Sequence, residues 1–300
     1  MVRFFQSILF IYPLTLDEKK NSVVLDEVDG ISTASLREAS QLSEEQIGSI
    51  IAQTLLGLQY LHRKMNLVHC SIRAENVYVT LGKNKLDDFG EYSETTCDVK
   101  LDGFHSSVEV LEHKYSDTSS LTKDMEATHW MPPELLQQLI RAKGQDVENG
   151  ESEDTRSSSS TNDFISLKVD IWSLGITAIE LVCGKPPYAD CTPIEALRRL
   201  RIHGLPSSLR MRKLSPEFMD FVSSCLKENP SNRPTTSELM RHPFVSPFIG
   251  TTTSLLKLWQ GYVFVLSSSE LLPHSPQNIQ FTQGTTQRSC RTRILSCCEN

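Results

Sequence analysis

From Ser43 to His62 the apolar residues Ile47, Ile50, Ile51, Leu55, Leu58 and Leu61 recur at helical spacing, behind a Ser-Glu-Glu-Gln start with the form of a capping box. This pattern predicts an amphipathic helix. A second helix is predicted over "KVDIWSLGITAIELVCG", which is apolar nearly all round and is stopped by Gly184 and Pro186. Such a helix belongs at the centre of a core. Two more should begin at Thr192-Pro193 and Ser215-Pro216, each a capping residue followed by proline at the first helical position, and a last one at about Thr236 to Arg241. The N-terminal apolar alternation predicts a hairpin, with strands at residues 7–16 and 23–28 around a polar turn at 17–22. A second small hairpin is predicted over "ENVYVTLGKNKLDD", turning at Gly82 and ending at Asp88. Residues 91–124 and 144–163 are rich in Ser, Thr and acidic side chains and are expected to be loops. Beyond residue 249 there is no clear helical period, only the strand-like "GYVFVL" and a Ser/Gln/Thr-rich end.

Composition narrows the function classes. With 300 residues, 39% of them hydrophobic, the chain can bury a sizeable core. A net charge of -7 argues against a nucleic-acid or membrane-surface binder, because both need a basic face. No span approaches the ~20 apolar residues of a membrane helix. The eight cysteines lack metal-binding spacing and no N-x-S/T acceptor occurs, so reduced thiols in the cytoplasm are the simpler expectation. Arg3 before an apolar run imitates a short signal peptide, but no small-residue cleavage site follows and "DEKK" does. The final "CCEN" is a poor prenylation signal.

The residues His69-Cys70-Ser71-Ile72-Arg73-Ala74-Glu75-Asn76 and Asp88-Phe89-Gly90 resemble the catalytic loop, H-R-D-x-x-x-x-N, and the metal motif, D-F-G, of the eukaryotic protein-kinase family. The flanks agree. "LLGLQYLHRKMNLVH" is similar to the helix leading into that loop, "HWMPPELL" to the W-M-A-P-E segment, and "NPSNRPTTSELMRHPF" to the end of the large lobe. "DIWSLGITAIE" and "GKPPYAD" resemble the sterile-twenty group, particularly Hippo-type kinases. The resemblance covers Phe4 to Phe248 and implies an α+β, protein-kinase-like fold. Residues 1–30 would be a remnant of the small lobe and hinge, 31–248 the helical large lobe, and 249–300 an unassigned tail.

By resemblance, Leu25 takes the gatekeeper position, and Asp26 to Val28 lie at the adenine edge of ATP. Asn76 and Asp88 offer the hard oxygens that suit Mg²⁺; the structural alternative makes Asp88 a turn residue and Asn76 a loop cap. Ser71 stands where the family has the aspartate that accepts the substrate proton. A serine hydroxyl is a very poor base near neutral pH, and losing a positioned acid-base group typically costs about 10²- to 10⁴-fold. Cys70 replaces an arginine that pairs with a phosphorylated activation loop, and Arg73 takes the place of the loop lysine. Glu134 with Arg233, and Asp170, are expected to be architecture. No G-x-G-x-x-G or V-A-I-K occurs in the 300 residues, so the chain reads as N-terminally incomplete.

Three readings follow. The first is an inactive pseudokinase that binds and positions another protein. The second is an isoform or fragment of an ATP- and Mg²⁺-dependent protein Ser/Thr kinase, and the third is the product of an altered gene.

Overall fold

The computed structural model describes residues 15–17, 22–26, 30–81, 97–110, 125–142, 166–251, 253–268 and 292–296. In chain order the elements are β1 (Thr15–Asp17), β2 (Ser22–Asp26), β3 (Ile31–Ser32), α1 (Thr33–Ala39), α2 (Glu44–Tyr60), β4 (Leu67–Val68), β5 (Val77–Leu81), β6 (Cys97–Leu101) and β7 (Val108–Glu109). Then come α3 (Pro133–Ala142), α4 (Lys168–Cys183), α5 (Pro193–His203), α6 (Ser207–Arg210), α7 (Pro216–Cys225), α8 (Thr236–Leu239), α9 (Thr253–Ser268) and β8 (Thr292–Ser296). Helices dominate, with short antiparallel strands between and around them, as an α+β kinase-like fold requires.

Helix α2 forms where its pattern predicts it. Ser43 Oγ accepts from Gln46 N–H at 3.2 Å while Gln46 Oε1 accepts from Ser43 N–H at 2.8 Å, so the capping box is closed in both directions. Ile47, Ile50, Ile51, Leu55, Leu58 and Leu61 are all buried. At its end the helix widens into a single π turn, Leu61–Met65, closed by Asn66 in the left-handed conformation at φ 50°. Helix α4 is buried from Val169 to Val182 and ends on Gly184 at φ 84°, a position open to glycine at low cost. The predicted caps Thr192 and Ser215 accept the backbone N–H groups of Glu195 and Phe218. Around α2 and α4 the main core gathers Ile72 and Val79 from the loop and hairpin, and Phe218, Phe221 and Phe244 from the C-terminal helical region.

Three expectations change. First, the hairpin that starts at β5 does not close by Asp88: its partner is β6, in the register Val77↔Leu101 to Leu81↔Cys97. The polar stretch 91–124 therefore contains a strand, whose Cys97, Val99 and Leu101 point inward while Asp98 and Lys100 are half-exposed. Second, "GYVFVL" is the last part of α9, a helix and not a strand. Leu255 and Leu258 bury against the core and Ser254 Oγ bonds Ser49 Oγ of α2 at 2.5 Å, so tertiary packing overrides the β-branched local preference. Third, although β1 and β2 pair from Thr15↔Val24 to Asp17↔Ser22 as the N-terminal hairpin predicts, β8 from the end of the tail, where no strand is predicted, pairs along the other edge of β2. Residues 7–14, 27 and 28 lie outside the described residues.

Candidate active site

The loop from Val68 to Asn76 is held almost entirely through its backbone. Asp170, in the first turn of α4, accepts the N–H groups of His69 and Cys70, both at 2.9 Å, and lies 2.8 Å from His62 Nε2. The π turn after α2 carries His62 and thus serves this contact. Ten residues on, Glu180 accepts Ala74 N–H at 3.0 Å and the Trp130 indole N–H at 2.9 Å. Thr177 Oγ1 donates to Ile72 O at 3.1 Å, and Thr33 Oγ1 of α1 donates to Ala74 O at 2.8 Å. Buried backbone groups need such partners, and here α1 and α4 supply them.

Within that frame Ser71, Arg73 and Asn76 come together as the loop motif predicts. All three are buried. The Asn76 amide nitrogen donates to Ser71 O and to Ser71 Oγ, each at 2.8 Å. Both amide protons are therefore turned to Ser71, and the amide oxygen is the acceptor that Asn76 offers elsewhere. Arg73 Nε lies 3.3 Å from Glu75 Oε2. The Glu180 carboxyl is pushed up to about 7 by its burial, partly offset by the Ala74 and Trp130 N–H groups and by the charge of Arg73. Asp170 shifts the other way: burial alone would raise it, but the hydrogen bond and charge of His62, with His69, hold it below the ordinary carboxylate value.

Cys70 sits at φ 62°, in the left-handed region that non-glycine residues rarely adopt. Burial raises its thiol well above the ordinary value and the Asp170 charge adds to this, so it stays a neutral, apolar group. It packs with Val68, Val108, Met131, Leu135 and Val169 in a second, smaller cluster. The same cluster ties the loop to β7, which pairs with β4 as Leu67↔Glu109 and Val68↔Val108.

Asp88 and Val28 lie outside the described residues, while Leu25 and Asp26 stand on β2, opposite Arg293 and Thr292 of β8. The acidic residue beside Asn76 is Asp102, one position after β6. Asp102 N–H donates to Asn76 O at 2.8 Å. Gly103 follows at φ 87°, and a Cβ there would come within 2.4 Å of Asn76 Nδ2. Phe104 then meets His69 edge-on, with ring centroids 4.6 Å apart. Asp102-Gly103-Phe104 thus has the residues of the metal motif with the last two exchanged. Gln53 of α2 fixes its approach by accepting Val99 N–H at 2.7 Å. The signal that could have found it is the alternation Cys97-Val99-Leu101 running directly into an aspartate.

A carboxylate and an amide oxygen suit Mg²⁺, which takes one or two protein ligands and completes its shell with phosphates and water, and Asp102 and Asn76, joined through their backbones, offer one of each. Asn76 and Asp102 therefore fit the cation that the kinase fold implies. The architectural pair is also present: Arg233 grips Glu134 through both guanidinium nitrogens, at 2.6 and 2.8 Å, and lies over the Trp172 ring at 5.0 Å.

The protein kinase domain family matches residues 2–245. Among curated proteins, the chain is 32% identical over 237 residues to serine/threonine-protein kinase shk1/pak1 of Schizosaccharomyces pombe, covering 79% of this chain and 29% of that protein. It is 30% identical over 226 residues to serine/threonine-protein kinase pakA of Talaromyces marneffei, covering 75% of this chain and 28% of that protein. Against serine/threonine-protein kinase ste20 of Aspergillus oryzae the identity is also 30% over 226 residues, with 75% of this chain and 21% of that protein covered. The chain thus spans less than a third of the length of these relatives. By its fold, its loop and the match to that family, the chain belongs to the protein kinase family, and it is similar to serine/threonine kinases of the sterile-20 type.

Proposed function

We propose that this domain is a pseudokinase of the sterile-20 type, acting in the cytoplasm by binding and positioning a protein partner. The observation that carries this reading is Ser71. Its hydroxyl occupies the position of the proton acceptor, is held by the Asn76 amide, and carries no charge with which to take a proton. The apolar setting of Cys70 supports it further, since a neutral thiol makes no pair with a phosphorylated loop.

ATP with Mg²⁺ is what the family uses, and when bound the cation would neutralise charge developing on the transferred group. Asn76 and Asp102 are the residues we assign to hold it, with Asp102 in the role expected of Asp88. Leu25, Asp26 and Val28 remain the proposed adenine edge. Arg73, close to Glu75 and Glu180, would keep the positive charge of the loop without reaching far from it.

The retained pairing of Asn76 with Asp102 favours a second reading, a weakly active protein Ser/Thr kinase. One assay separates the two. Radiometric phosphotransfer to a generic protein substrate should not exceed that of Asp102→Ala; clear excess over this control would establish the second reading. If Ser71 is the degraded base in a site that still holds nucleotide, Ser71→Asp should raise the rate by on the order of 10²-fold. In a thermal-shift titration with ATP and Mg²⁺, any stabilisation should vanish in Asp102→Ala and survive in Asp88→Ala. The opposite pattern would return the metal role to Asp88.

A further inference from the structure

Helix α5 has one face that the fold uses and one that it does not. Ala196 is buried, and Leu197 and Leu200 line a shared cavity with Met131 and Trp172, so the inner face follows positions i, i+1 and i+4 onto Met131 and α4. The outer face carries Ile194, Arg198, Arg201 and Ile202, spaced i, i+4, i+7 and i+8 along a single stripe. Ile194 is 46% exposed and Ile202 60%, while the side chains of Arg198 and Arg201 are 65% and 71% exposed. Two apolar side chains about 12 Å apart, with two arginines between them, is not what a purely solvated face requires.

The charge pattern points the same way. Residues 191–213 hold six Lys and Arg against Glu195 alone, a net of +5 in a chain whose total is -7. Glu195 is held between Arg198 Nε at 2.8 Å and Arg199 Nε at 2.9 Å, and Arg201 Nε lies 3.3 Å from Glu228 Oε1, so these surface ion pairs offset only part of the positive charge. Beyond the helix, Arg210, Met211 and Lys213 are exposed and continue the same mixture of cation and apolar side chain.

We infer that the outer face of α5 is a docking surface for an acidic amphipathic helix of a partner protein. That helix carries two apolar residues seven or eight positions apart, which reach Ile194 and Ile202, and Asp or Glu between them, which meet Arg198 and Arg201. This surface rests on the fold alone and not on the chemistry of Ser71, so its failure would leave the pseudokinase reading intact, and the reverse also holds.

The test uses the full chain and a fluorescent model helix of about 20 residues, with two leucines eight positions apart and glutamates between them. Anisotropy should show salt-sensitive binding. Arg198→Glu with Arg201→Glu should abolish it, Ile202→Ser should weaken it by on the order of tenfold, and Arg198→Lys should largely retain it. These side chains are exposed, so the variants should keep the parent melting temperature. Absence of binding, or equal binding by all variants, would overturn the proposal. So would equal or tighter binding of a polyuridine oligonucleotide, full displacement of the probe by a peptide of residues 144–163 in place of a foreign helix, or a doubling of sedimenting mass that Ile202→Ser removes, which would identify a second copy as the occupant.

Discussion

Asp170 and Glu180 stand ten residues apart on one buried helix and clamp the two ends of the same loop, yet their carboxyls move in opposite directions. Burial raises both. Asp170 answers two backbone N–H groups and His62, and its carboxyl is held low; Glu180 answers Ala74 and Trp130 with only partial help from Arg73, and is pushed up to about 7. Donor count and nearby charge, not depth, decide which form of a buried acid the fold prefers. Between these clamps lie Ser71 and Arg73, so one helix frames the loop from both ends.

The largest effect is expected from breaking the stronger clamp. Asp170→Ala leaves His69 and Cys70 N–H and His62 without their acceptor, and should destabilise the domain by roughly 3–5 kcal/mol, as for a broken buried pair. Chemical denaturation would measure it, and a loss below about 1 kcal/mol would mean that the loop is held by other contacts.

Next comes the weaker clamp, through its pH dependence. The Glu180 carboxyl is raised in the folded state from 4.5 to about 7, so its contribution to stability is complete below about pH 4.5 and is lost as pH rises through 7. The loss is on the order of 3 kcal/mol at full ionisation. Glu180→Gln keeps an acceptor for Ala74 and Trp130 and removes the titration, so wild type and variant should diverge in melting temperature as pH rises from 5 to 8, with the variant ahead. Parallel curves would place the raised carboxyl elsewhere. Asp170 works in the opposite sense: its stabilisation is present above the ordinary aspartate value and is lost only as the solution becomes more acid than that.

A smaller effect, of about 1–3 kcal/mol, is expected from Gly103→Ala, which combines a left-handed backbone with a methyl group 2.4 Å from the Asn76 amide. It should also weaken any Mg²⁺-dependent nucleotide shift more than it lowers stability without ligand. An unchanged shift would separate Asn76 from the metal site.

The helices were legible because their signals are local. Ser43 with Gln46, Thr192-Pro193, Ser215-Pro216 and the Gly184 stop each act within one turn of the residue that carries them, and the structure places α2, α5, α7 and α4 on them. The loop half of the site was legible for the same reason, since Ser71, Arg73 and Asn76 lie within six residues. The other half depends on strand pairing. Asp-Phe-Gly at 88–90 lies outside the described residues, and the pairing of β5 with Cys97–Leu101, which brings the Asp102 backbone to Asn76, rests on inward side chains and the Gln53 contact, neither of which is a property of neighbouring residues. Residues 261–266 misled in the opposite way. Val263, Phe264 and Val265 look like a strand, but they are exposed on a helix that Leu255 and Leu258 have already anchored.

The β5–β6 ladder also separates a residue's address from its sequence distance. Fifteen residues connect Leu81 to Cys97, where a hairpin needs as few as two, and the closure entropy of that excess amounts to only roughly 2 kcal/mol. Asp102 is delivered to Asn76 by five paired residues and not by the count between them. The ladder therefore sets where Asp102 meets Asn76 whatever the count between Leu81 and Cys97, and a two-residue turn between those strands would delete the Asp-Phe-Gly letters while keeping the Asp102 N–H on Asn76 O.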